Sequence, residues 1–326
     1  MIKFPTFLLA ACLLAACSGN PFTVTEEGTG EETATPEDIP ATPEAPTAAN
    51  PIPASLALNL QAATYNADAG TLVLRLASLD VGILDATYVR TPVLDRPGYL
   101  AFTVQDDPLD RHVTAMVARS EDPERSVQAG VASDGGQFNR FFSGGFFERM
   151  SPFSTPDPLP DGGLVSYAGN YAGVTNLNAP GTELLQPALG TDPALLPAQS
   201  AQTTGQVFLN VDFADNAVNG AIINRTMPQL GITLPTVILT AAPIDANGAF
   251  FGTQVQYDGA VDGDIGDYGG IFGGTGATAV GGVVALTEFD GIGNPLGIEN
   301  EREIGVFVLS RCGISGSDAT LCADAN

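Results

Sequence analysis

Along most of the chain, hydrophobic residues come in short alternating runs broken by Gly, Pro, Asn and Asp clusters, with no long amphipathic helical period. The pattern predicts an all-β protein. Between residues 163 and 311 it gives eight strands, at 164–174, 205–213, 217–224, 237–242, 249–255, 264–272, 280–286 and 303–311. Eight is the number at which a closed antiparallel barrel fills its interior with side chains or holds one small ligand. The tight links at 214–216 and 245–248 make their flanking strands antiparallel neighbours. A smaller β-rich region, the handle, is predicted over residues 54–160, with strands at 56–65, 71–76, 99–105, 112–119 and 138–147 and a hairpin loop at 66–70. Pro152, Pro156, Pro158 and Pro160, followed by Gly162-Gly163, mark the boundary between the two regions. The long segment from Asn178 to Gln202 reads as a loop, and loops of that length are more often functional or mobile than structural.

The stretch GGIFGGTGATAVGGVVAL at 269–286 shows how tightly the turns are specified. Ile271 and Phe272 close one strand and Val280, Val283, Val284 and Leu286 begin the next, with Gly273, Gly274 and Gly276 supplying a reversal that needs positive φ. The pairs Gly269-Gly270 and Gly281-Gly282 fall where a side chain would crowd a curved sheet. Gly274, Gly276 and Ala279 also fit the dinucleotide fingerprint, which requires a helix after the glycines. Gly281-Gly282-Val283-Val284 is a poor helix start, so a plain β-turn is expected.

At the N-terminus, Lys3 precedes an apolar run from 4 to 16 that ends in Leu14-Ala15-Ala16-Cys17. This resembles the lipobox of a bacterial lipoprotein signal peptide, and the run is too short to span a bilayer. The resemblance implies that residues 1–17 are the signal segment and that Cys17 is the acylated N-terminus, anchored by more than the two signals stable attachment requires. Ser18, where Asp would favour retention at the inner membrane, implies the outer membrane; which face is occupied stays open. Residues 18–53 contain seven acidic residues and no basic one among Thr, Pro, Ala and Gly, the composition of a disordered, self-repelling tether.

In the barrel region, YGGIFG at 268–273 followed by AVGGV at 279–283 resembles the end of the β-barrel domain of the transferrin-binding protein B family. Further matching pieces fall in order: TGQVFLNVDF at 204–213, VNGAI at 218–222, GAFFGT at 248–253 and IGVFVL at 304–309. The resemblance covers residues 163–311 and implies an eight-stranded barrel with a ligand-binding role. The wider group of Slam-type bacterial surface lipoproteins, haem-binding ones included, is the nearer comparison.

The formal net charge is −25, and Lys3 is the only lysine, so every cation after the signal segment is an arginine. Nucleic acid is therefore a poor partner, since phosphate binding draws on clustered Lys and Arg. Eight of the eleven arginines lie in the handle, an asymmetry that suits an anionic ligand or local pairing with nearby carboxylates. Cys312 and Cys322 flank a short C-terminal loop within residues 312–326, and in an exported protein they predict a disulfide worth about 2 to 3 kcal/mol in the loop model.

Candidate chemistry is sparse. His112, the single histidine, is either a strand-edge residue or an axial haem ligand, with Arg111, Arg119 and Arg140 as partners for the propionates. Phe138, Phe141, Phe142, Phe146 and Phe147 form either core or an exposed partner patch. Asp262, Asp264 and Asp267 form either a solvated turn or an oxygen-ligand site without EF-hand spacing. No nucleophile elbow, zinc-protease motif or P-loop occurs. The sequence points to a non-enzymatic, lipid-anchored binding module that captures a protein, haem or metal-bearing ligand. A structural lipoprotein facing the periplasm is the alternative. A carboxylate enzyme would instead show two acidic side chains converging in a hollow with displaced pKa values.

Overall fold

Nearly every hydrophobic run described above becomes a strand in one of two antiparallel sheets, so the chain is all-β. The structure is a computed structural model that describes residues 52–77, 83–157, 163–259 and 263–323. The lipobox with Cys17, nearly all of the tether, Pro158, Pro160, Gly162 and Asp262 lie outside the described residues. Among the described residues no helix is long and apolar enough to cross a membrane.

After the single helical turn α1 (Ala54–Ala57), the handle consists of β1 (Leu60–Asn66), β2 (Thr71–Ala77), β3 (Ile83–Arg90), β4 (Leu100–Val104), β5 (Val113–Arg119), β6 (Val127–Asp134) and β7 (Ser143–Arg149). They follow one another in sheet order. The ends of the sheet nearly meet: the Asn59 amide donates to the Ser143 carbonyl, and a Cβ on Gly144 would lie 2.0 Å from the Ala57 oxygen. The expected hairpin is present, with Asn66 opposite Thr71 and the Asn66 Oδ1 accepting from the amides of Asp68 and Ala69.

Two of these strands were not expected. Asp85 interrupts the apolar run of β3, and β6 is VQAGVASD, rich in small residues. β6 is buried along its whole length because it packs between the handle interior and the barrel wall. A Cβ at Gly130 would lie 2.5 Å from Val117 and 2.7 Å from Phe146, so a bulkier strand would not fit. The run expected as a strand from 138 begins later, at Ser143, because Phe138 and Asn139 both take φ of 54° in a turn.

The second sheet contains β8 (Leu164–Asn178), β9 (Ser200–Asp212), β10 (Ala217–Met227), the two-residue β11 (Ile232–Thr233), β12 (Val237–Pro243), β13 (Ala249–Tyr257), β14 (Gly266–Gly273), β15 (Ala279–Thr287) and β16 (Arg302–Ser310). β11 only extends the end of β10. The other eight close a ring, because β10 pairs with both β12 and β9, β9 with β8, and β8 with β16. All eight expected barrel strands are present. Glycines seat the rings of neighbouring strands: a Cβ at Gly305 would lie 1.8 Å from the Tyr171 hydroxyl, and one at Gly282 would lie 2.2 Å from Phe307. Gly270 pairs with Gly282 across β14 and β15. The fingerprint glycines Gly274 and Gly276 take φ of 81° and 77° in a β-turn that leads into β15, not into a helix.

Three apolar clusters result. One fills the barrel with Tyr167, Tyr268, Phe272, Phe307 and aliphatic residues; another fills the handle. The third joins them, packing Met116, Ala129, Val131 and Phe147 of the handle against Val174, Val283, Ile304 and Val306 of the barrel wall. β15 and β16 are therefore covered on both faces, which explains their nearly continuous apolar sequences. Cys312 and Cys322 form the expected disulfide, with a Cα–Cα separation of 5.6 Å, and tie the short helix α2 (Ala319–Ala323), which packs on β8, to the chain just after β16.

Candidate binding surface

Three connections meet at one end of the handle: the 105–112 segment before β5, the β6–β7 turn, and the long β8–β9 loop. Gln137 ties them together, its side-chain amide donating to the carbonyls of Leu109 and Leu195 at 2.8 Å each. The Leu185 amide donates to Gln105 Oε1 at 2.8 Å, and the Ala198 amide to the Gly136 carbonyl at 3.2 Å. A Cβ at Gly135 would fall 1.9 Å from the Ala198 oxygen, so the long loop can dock here only against glycine. Ser133 and Ser200 add a hydroxyl pair at 2.8 Å. The long loop, expected to be functional or mobile, is thus fastened to the handle sheet.

Under this platform, Arg111 pairs with Asp134 and donates to the carbonyls of Gln137 at 2.9 Å and Arg140 at 3.1 Å. Its guanidinium lies over the Phe142 ring, 4.9 Å from the centroid. Burial pushes the Asp134 carboxyl up, and the Phe142 amide and Arg111 only partly oppose that. These bonds hold the Gln137–Arg140 turn in place.

On top of this base stand Leu109, Phe138 and Leu195, with Leu185 and Leu189 on the same long loop, all exposed. Phe138 is the most informative, because it is 58 % exposed and also held at φ of 54°. Left-handed backbone is unfavourable for a bulky L-residue, and an exposed aromatic ring gains nothing from burial. Around these apolar tips lie the exposed carboxylates Asp106, Asp107, Asp110 and Asp192, with Arg140 as a cation.

The structure brings together three of the four candidate ligand residues: Arg111, His112 and Arg140. Arg119 lies at the far end of β5, bound to Asp68 at 3.3 Å. His112 is 1 % exposed, and neither ring nitrogen has a hydrogen-bond partner. Burial pushes its pKa down to about 4, so the ring is neutral at neutral pH. An axial haem ligand needs a ring nitrogen open to a flat pocket, with free cations for the propionates. An enclosed His112 beside an Arg111 committed to Asp134 and two carbonyls does not fit that group. Asp264 caps its own turn through the Gly266 amide, and among the described residues no cluster is arranged to hold a metal ion. Of the phenylalanines, Phe146 and Phe147 are core, whereas Phe138 is on the platform.

No protein-family model matches the chain, and no curated protein matches it. Among solved structures, it is similar to a variant of transferrin binding protein B from Haemophilus parasuis Hp5, with 14% identity, 77% of this chain and 53% of that chain covered, and a TM-score of 0.35. It is also similar to isotype 1 transferrin binding protein B from serogroup B Neisseria meningitidis, with 15% identity, 76% and 50% covered, and a TM-score of 0.33. The chain spans about half the length of the structures it matches.

Sequence reasoning missed a polar centre inside the barrel. Arg225 and Glu303 pair at 2.6 Å, both side chains fully buried. Glu303 Oε1 also accepts from Tyr171 at 2.6 Å and Thr203 at 2.8 Å, while Arg225 donates to the Pro235 carbonyl at 2.9 Å. The strand alternation that puts Ile222 inside would turn Arg225 outward. A register shift in β10, with Asn224 at φ of 53°, reverses it. An acidic pair, Asp290 and Glu301, lines a hollow of about 690 Å³ at the β15–β16 loop. Burial and Asp290 push the Glu301 carboxyl up. These are the features expected of a carboxylate enzyme, but both side chains are buried and Asp290 accepts from the Leu296 amide at 2.9 Å. Asp290 thereby ties down the loop, while Glu301 Oε2 is buried without a partner.

Proposed function

We propose that this protein is an outer-membrane lipoprotein, acylated at Cys17, that uses the three-loop platform to capture an external protein. It acts as a non-enzymatic binding module. The observation that carries this reading is Phe138, a bulky ring held in left-handed backbone and pointed at solvent on a base fixed by Gln137 and Arg111. Strain of this kind persists where the surroundings over-determine it, and it gathers at ligand clamps. Exposed apolar tips fastened in advance lose little entropy when a partner orders them.

Four experiments test the reading. Mass spectrometry of the membrane-extracted protein is expected to show an acylated N-terminal Cys17, and Cys17→Ala is expected to release the protein from the membrane. Protease treatment of intact cells is expected to digest it; complete protection would put it on the periplasmic side and favour the structural alternative. Platform variants Phe138→Asp and Leu189→Asp are expected to fold normally yet lose capture of the external protein.

A further inference from the structure

The far end of β5 carries a second feature, independent of the platform. A groove of about 600 Å³ is lined by Tyr65, Asp95, Arg96, Glu121, Arg119 and Arg125. A smaller hollow of about 250 Å³ shares its Gly98–Tyr99 and 118–121 walls and reaches Asn170 of the barrel. Three of the eleven arginines therefore face one groove in a chain whose net charge is −25.

Among the described residues these three guanidinium groups form ion pairs with a single carboxylate, although Asp95 and Glu121 also line the groove. Arg119 and Arg125 share one carboxylate, Asp68, at 3.3 Å and 2.9 Å. Asp95 lies beside Arg96, but its two side-chain oxygens are bonded to Arg90 at 2.5 Å and to the Ala101 amide at 2.8 Å. Arg96 makes a 2.9 Å bond from Nη1 to the Asp95 carbonyl and has no ion pair among the described residues; its Nε is buried without a partner. Arg125 is itself held at φ of 48°, left-handed backbone for a long side chain. Burial pushes the Tyr65 hydroxyl in the same wall up, and Arg90, Arg125 and Arg119 only partly oppose that. A guanidinium fork left without its oxyanion in a hollow is the arrangement that recognises carboxylate or phosphate oxygens.

We propose that this groove binds a small oxyanion bearing two or more carboxylate or phosphate groups. Arg96 and Arg119 grip it, and Asp68 competes for Arg119 and Arg125. The competition makes the proposal specific. If the arginines served only to hold Asp68, removing that carboxylate would release them; if they form a binding site, removing it frees the site for the ligand.

The test is isothermal titration of the mature protein with citrate and, separately, with pyrophosphate at low ionic strength, the two arms distinguishing carboxylate from phosphate. At least one probe is expected to bind. Arg96→Gln and Arg119→Gln are each expected to weaken binding at least tenfold with the fold intact by circular dichroism, and Asp68→Asn to tighten it severalfold. Added salt is expected to weaken binding, since the groove is open to solvent. No heat from either probe at millimolar concentration overturns the proposal, as does equal binding by wild type and Arg96→Gln. Weaker binding in Asp68→Asn overturns it too, and that variant removes only the charge of an exposed side chain, so a folding defect does not obscure the result.

Discussion

Arg225 and Glu303 meet inside the barrel with both side chains fully buried, whereas Arg119 and Arg125 share an Asp68 that is 69 % exposed on the rim of the handle. The chemistry is the same and the settings are opposite. A sealed pair is fixed by the loss of its water, because separating it leaves an uncompensated charge in the core. A rim pair exchanges easily with solvent or ligand and adds little to stability. The barrel thus uses its charge to fix a shape, while the rim of the handle keeps Asp68 and Arg125 open to solvent. The platform follows the same division, with Arg111 and Asp134 buried beneath apolar tips that face outward.

The largest expected effect is in the barrel. Arg225→Met leaves Glu303 unpaired and should lower unfolding stability by about 3 to 5 kcal/mol in urea titrations. Asp68→Asn should change it by less than about 1 kcal/mol. Similar losses from the two variants would break the comparison.

His112 comes next. Its folded pKa of about 4 lies below the ordinary histidine value of about 6.5, so the stability it contributes is fully present above pH 6.5. That contribution is lost as pH falls toward 4 and amounts to about 3 kcal/mol. Because the chain has one histidine, its imidazole proton resonances need no assignment: they should stay unshifted down to about pH 5. The wild-type stability loss between pH 6.5 and 4 should exceed that of His112→Phe. A ring that titrates near 6.5 would show an open site, and the haem reading would return.

The C-terminal staple joins the two regions, since a Cβ at Gly316 would meet the Glu121 oxygen of the handle at 2.4 Å. Replacing Cys312 and Cys322 with serine should cost about 2 to 3 kcal/mol. Hydrogen exchange should rise first at residues 311–323 and at the 119–121 turn; a rise confined to the tail would mean that the staple serves the barrel alone.

The smallest effect carries the opposite sign. Phe138→Asn places a residue tolerant of left-handed backbone in the turn and should raise stability by about 1 kcal/mol while weakening partner capture. Loss of both would make Phe138 a structural residue.

The barrel was legible because its strands obey local rules: alternation within each strand and glycine where the chain reverses. The handle was less so, since β6 is assigned by what covers it, and Gln128, Gly130 and Ser133 look like loop residues until the barrel wall is placed against them. Arg111 and His112 stood out as residue types for ligand chemistry, but long-range packing turned one into a tie for the Gln137–Arg140 turn and buried the other. Arg225 was hidden by a register shift at Asn224 that no residue pattern announces. The meeting of Leu109, Phe138 and Leu195 depends on three separate connections, with Gln137 as common donor 28 residues from Leu109 and 58 from Leu195.

Site-specific photocrosslinking on intact producing cells tests the central claim most directly. A photoreactive residue at Phe138 is compared with one at Leu164, which is equally exposed at 58 % but lies at the opposite end of β8 from the long loop. The account predicts one discrete protein adduct from position 138 and none from 164. Equal adducts from both positions, or an adduct from 164 alone, would contradict it.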